Sequence, residues 1–129
     1  MKKEKWLVWK PMEGIPKTLH LLDLKYTYSG LTVNLYEEDG SPTLTIHFDG
    51  DLAHRLADEG DLLKTVSEAE RTNEDRWTLY TVENSLYLKW FHEQSLNIRK
   101  KDNLVHYLIA TPNEIIDVID LSSPTLIWN

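Results

Sequence analysis

Apolar and polar residues alternate along much of this chain. In Leu31–Glu37, Leu31, Val33 and Leu35 fall on one side of an extended segment, with Thr32, Asn34 and Tyr36 on the other. Pro42–Phe48 repeats the pattern with Leu44, Ile46 and Phe48 inward. Between them, Glu38–Ser41 carries an Asp-Gly pair, which suits a two-residue hairpin because such turns need positive φ. Upstream, Thr18–Tyr28 alternates over its second half, with Leu22, Leu24, Tyr26 and Tyr28 on one face, and Ser29-Gly30 turns it. These segments predict an antiparallel meander. Lys5–Lys10 predicts a first strand ended by Pro11, and Pro11–Pro16 a loop.

The stretch Trp77–Ser95 changes period midway. Trp77–Val82 is dense in apolar and β-branched residues and predicts a strand. Asn84 and Ser85 each offer an oxygen to the free amides of a first helical turn. From Leu86 the spacing is helical: Leu86/Trp90 and Tyr87/Phe91 are i,i+4 pairs, and Leu88 widens the stripe. This reading buries Leu86, Trp90 and Phe91, places Gln94 in the apolar arc, and leaves Lys89, His92 and Glu93 in water. A helix this short is marginal alone and must dock on a sheet.

Asp49–Thr72 admits two readings. Leu52 and Leu56 fit a short helix Leu52–Glu59 stopped by Gly60, followed by a second helix Leu62–Arg71 capped by Asp61, with Leu62, Val66 and Ala69 on one face. The other reading extends the sheet through Ala53–Asp58 and leaves one helix; the helical pair is preferred. Arg71–Arg76 is a polar loop tip, and Leu96–Asn103 a basic connector. Leu104–Thr111 predicts a strand buried on both faces, turned by Pro112-Asn113 into the apolar run Glu114–Leu121, whose length suits a strand while its period alone also allows a short helix. Thr125–Trp128 adds an edge strand after Ser122–Pro124. The predicted fold is α+β, mainly β: one domain over 1–129, an antiparallel sandwich or partly open barrel with one or two short helices.

Charge refines this picture. The net charge is −7. Asp58–Asp75 holds seven acidic residues against Lys64 and Arg71, while the first ten residues carry four lysines against Glu4. An acidic surface disfavours nucleic acid and favours basic partners. The absence of cysteine removes disulfides and thiolate chemistry and fits a reducing, cytoplasmic setting. No apolar run has the length of a signal peptide or membrane span. Five Trp and six Tyr supply anchors for a core or an interface.

Two constellations bear on chemistry. His47, Asp49, Asp51 and His54 form H-x-D-x-D-x-x-H, with residue types that ligate zinc, manganese or iron. The competing reading makes Asp49 and Asp51 turn and cap residues and His47 an outward strand residue, and it is preferred, so no metal or cofactor is expected. Nucleophile elbows, phosphate loops and dinucleotide fingerprints do not occur. Two helices around Gly60 could form a helix-turn-helix, but Glu68 and Glu70 make the second too acidic for DNA.

Three blocks, DEGDLLKT (Asp58–Thr65), VENSLYLKWFHEQS (Val82–Ser95) and HYLIATPNEIIDVI (His106–Ile119), resemble a family of small bacterial proteins. Its members are similar in size to immunity or antitoxin-like proteins found beside toxin genes. The resemblance transfers no catalytic residue. It implies a non-enzymatic, immunity-type inhibitor that covers a basic toxin. The expected contact face is Asp58, Glu59, Asp61, Glu68 and Glu70, with Leu62, Leu63 and Val66 holding that segment to the core. The alternative is a metal-binding or hydrolytic domain built on His47–His54.

Overall fold

The structure is a computed structural model that describes residues 3–61, 69–71 and 76–129. Ten strands and one α-helix are described: β1 (Lys5–Val8), β2 (His20–Thr27), β3 (Gly30–Tyr36), β4 (Thr43–Phe48), β5 (Asp51–Asp58), β6 (Glu70–Arg71), β7 (Leu79–Glu83), α1 (Leu86–Gln94), β8 (Val105–Ala110), β9 (Glu114–Asp120) and β10 (Thr125–Trp128). They make two sheets, ordered β5-β9-β8-β7-β1-β6 and β10-β4-β3-β2. All pairings are antiparallel except β1 with β6. The sheets form an open sandwich.

The meander β2-β3-β4 follows the alternation. Leu31, Val33, Leu35, Leu44, Ile46 and Phe48 are all fully buried. Across the sandwich, the ring of Phe48 meets Tyr107 of β8 at 5.6 Å. Burial of such side chains contributes roughly 1.5–3 kcal/mol each. Gly30 opens β3 at φ +116, and a Cβ there would run into the Phe48 carbonyl oxygen, so only glycine fits.

Several expectations are corrected. β2 carries a bulge between Leu21 and Asp23, which throws Leu22 outward and leaves Leu21, Leu24 and Tyr26 opposite the inward residues of β3. The β3–β4 connection is longer than a two-residue turn: it spans residues 37–42, and Ser41 N–H donates to Glu38 O at 3.0 Å. Asp51–Asp58 is a strand, not a helix, paired along its length with β9. Its helical Leu52/Leu56 spacing is local, whereas the β9 ladder is a long-range partner that the sequence pattern does not show. Glu59–Asp61 is a single 3₁₀ turn rather than a helix stop. Of the second predicted helix, 62–68 lies outside the described residues and Glu70–Arg71 is a strand beside β1. The loop tip at 72–75 also lies outside them.

The strands β8 and β9 are buried on both faces, as the apolar run of β8 predicts; the run of β9 is a strand, as its length suggests, and not a short helix. One face meets the four-stranded sheet. By register, the other carries His106, Asp117 and Arg55 on adjacent strands. Helix α1 docks on these polar groups.

Candidate functional site

Ser85 is the N-cap of α1, and its Oγ accepts from Leu88 N–H at 2.9 Å. Asn84, just before it, takes a left-handed φ of 55. The carboxylate of Glu4 accepts from Leu86 N–H at 2.8 Å, so the residue just before β1 also holds the helix start.

Beneath the cap lies a chain of hydrogen bonds. Ser85 Oγ is 2.6 Å from His106 Nδ1, His106 Nε2 is 2.6 Å from Asp117 Oδ1, and Arg55 Nε donates to Asp117 Oδ2 at 2.8 Å. With Nε2 protonated and Nδ1 accepting from the hydroxyl, every donor in the chain has an acceptor. The Arg55 guanidinium also sits 4.1 Å from the ring centre of Tyr87, whose edge meets His106 at 5.6 Å. Burial alone would raise Asp117, but the hydrogen bond from His106 and the charge and hydrogen bond of Arg55 outweigh it and hold the carboxyl below its ordinary value. Burial pushes the Tyr87 hydroxyl up to about 12 despite Arg55.

Ser, His and Asp in sequence are also the parts of a nucleophilic triad. Here the serine oxygen is held as a helix cap, the imidazole is buried behind it, and Arg55 neutralises the acid. The arrangement is suited to fixing α1 on the sheet. The sequence signal was a titratable residue inside each of two apolar strands, His106 and Asp117; nothing local marked Arg55.

This anchoring turns the helix away from the predicted orientation. Tyr87 is its one fully buried side chain, at 5% exposure, whereas Leu86 is 52% and Trp90 50% exposed. Trp90 stacks on Tyr87 at 5.7 Å and shows its other side to water. Gln94 is exposed and needs no buried partner; His92 is half-buried rather than wet, and its Nδ1 has no hydrogen-bond partner among the described residues.

The end of α1 is unusual. Ser95 N–H bonds Phe91 O, Leu96 N–H bonds Glu93 O, and Asn97 N–H bonds His92 O, at 2.9, 3.2 and 2.9 Å. This is a Schellman closure with Leu96 at the C′ position, which glycine normally occupies. Leu96 has φ 53 and Asn97 φ 61. Left-handed backbone costs a leucine about 1–2 kcal/mol. Burial does little to offset this, because Leu96 is 84% exposed, and Ile98 beyond it is 80% exposed.

The other predicted site residues are dispersed. His47 Nδ1 lies 2.8 Å from Thr32 Oγ1 on the four-stranded sheet, while His54 Nδ1 lies 3.0 Å from Asp51 Oδ2 at the start of β5. Among the described residues, no three His, Cys, Asp or Glu side chains are placed to hold a metal ion. Asp51 pairs across the strands with Asp120, and each carries one buried oxygen with no hydrogen-bond partner among the described residues. Burial chiefly, with the charges of Asp49 and Asp51, raises Asp120 above the ordinary carboxylate value, against hydrogen bonds from Ser122. Asp58 and Asp61 are exposed and Glu59 half-buried at the end of β5. Glu70 is exposed on β6 at the opposite edge, five strand spacings or roughly 24 Å away. Glu68, Leu62, Leu63 and Val66 lie outside the described residues.

No protein-family model, curated protein or solved structure matches the chain.

Proposed function

We propose that this chain is a non-enzymatic protein-binding domain, an immunity-type inhibitor whose contact face centres on α1. The observation that carries this reading is the exposed pair Leu86 and Trp90 on a helix fixed from below by Tyr87 and the Arg55–Asp117–His106–Ser85 chain. Aromatic side chains held on rigid elements are the usual hot spots of protein interfaces, because little motional freedom is lost when they are covered.

The net charge of −7 favours a basic partner. In this reading Asp58, Glu59, Asp61 and Glu70 are steering charges at the edges, which govern association rate rather than residence time. The partner most consistent with the resemblance is a toxin encoded beside this gene. The test is a pull-down and solvent-protection experiment with the product of the adjacent gene. A complex that shields Trp90 and the amides of 86–98 supports the proposal. A complex that leaves them exposed, or no complex, refutes it.

A further inference from the structure

We infer that the surface formed by α1 and the turn after it receives an apolar partner segment rimmed with carboxylates. This rests on the protein-binding reading above and adds the chemistry of the contact. Two independent features point to it.

The first is local charge. Although the chain is acidic overall, residues 84–103 carry Lys89, Arg99, Lys100 and Lys101 against Glu93 and Asp102, a local +2. Arg99 is bridged to Asp102 at 3.4 Å, while Lys89, Lys100 and Lys101 are all exposed. The exposed apolar residues Leu86, Trp90, Leu96 and Ile98 thus sit in the basic part of an acidic molecule. A basic partner would be matched by the rest of this chain but repelled here, unless the surface that receives α1 is itself acidic. The partner is therefore two-signed: basic where it faces Asp58 and Asp61, acidic where it covers Trp90.

The second is the backbone at Leu96. Glycine or asparagine would close the helix without strain, yet a leucine is held left-handed with its side chain in water. A residue that opposes the stability of its own turn and leaves its side chain 84% exposed is explained by an external contact. Along the axis, Leu96 lies about 9 Å beyond Trp90, just past the end of the helix.

The test uses the full chain and two synthetic amphipathic helical peptides with identical leucine faces, one flanked by glutamates and the other by lysines. The expected result is that the glutamate peptide binds, shifts Trp90 fluorescence, and weakens with salt. Leu96→Gly should lower its affinity about tenfold while raising the thermal midpoint. Lys100→Glu with Lys101→Glu should weaken it with the fold intact. Equal or stronger binding of the lysine peptide, or binding of neither, overturns the inference. So does a concentration-dependent dimer dissolved by Trp90→Asp, which would make a second copy the occupant. If a natural partner is weakened by Trp90→Ala but not by the lysine reversals, the protein-binding reading stands and this one falls.

Discussion

The guanidinium of Arg55 lies 4.1 Å from the ring centre of Tyr87, so an edge strand and the only described α-helix are joined by a cation over an aromatic face. The same side chain holds Asp117 at 2.8 Å. Removing the cation strands a buried carboxylate. Arg55→Met should destabilise the fold by about 1–3 kcal/mol, below the 3–5 typical of fully buried pairs because the arginine is 47% exposed. Urea unfolding checks this. An unchanged midpoint would mean that His106 alone suffices for Asp117.

Tyr87, not Trp90, should be the stabilising aromatic of α1. Tyr87→Ala should cost about 3–5 kcal/mol, in line with buried aromatic truncations, whereas Trp90→Ala should cost about 1 kcal/mol or less. Chemical denaturation of the two variants in parallel decides between this orientation and one with Trp90 in the core.

How much of this could be read from the chain depended on how local each determinant was. The meander was legible because Leu31, Val33, Leu35, Leu44, Ile46 and Phe48 keep strict alternation and all prove buried. Helix α1 was legible from its spacing and from Ser85, although Asn84 competed for the cap. Its orientation was not. Ranking by hydrophobicity put Trp90 inside, but the sheet beneath presents His106, Asp117 and Arg55, and a tyrosine suits that polar floor better than a tryptophan stripe does. β5 was misread as a helix for a similar reason: Leu52 and Leu56 fit an i,i+4 pattern, and only pairing with β9, some sixty residues on, overrides it. The bulge at Leu22 left no mark in the alternation it interrupts.

The two buried acids of β9 should respond oppositely to pH. Asp117 is lowered, so its contribution is present above the unfolded carboxylate value near 3.8 and is lost as pH falls through its folded value. Asp120 is raised from 3.8, so its ionisation opposes folding at neutral pH, and that penalty is relieved as pH falls through the raised value. Asp120→Asn should therefore stabilise the protein at pH 7 and remove the gain seen on mild acidification. Its amide also offers a donor in place of one unpartnered oxygen. Urea midpoints across pH 3–7 test this; a destabilised Asp120→Asn at pH 7 would contradict it.

Ser85→Ala removes the cap of α1 and the hydroxyl that meets His106 Nδ1. The expected loss is about 1 kcal/mol for the cap, rising by about 1–3 if the buried nitrogen is left unpaired. Ser85→Thr keeps both hydrogen bonds and should recover most of the stability. Equal losses in the two variants would show that neither bond matters.

The central claim is that the outward face of α1 is the contact surface. It is tested most directly by the binding kinetics of wild type and Trp90→Ala against the product of the adjacent gene. The predicted result is a dissociation rate at least about tenfold faster for the variant, with similar association and an unchanged fold. Dissociation identical to wild type would contradict it, and the contact would then lie elsewhere on the molecule.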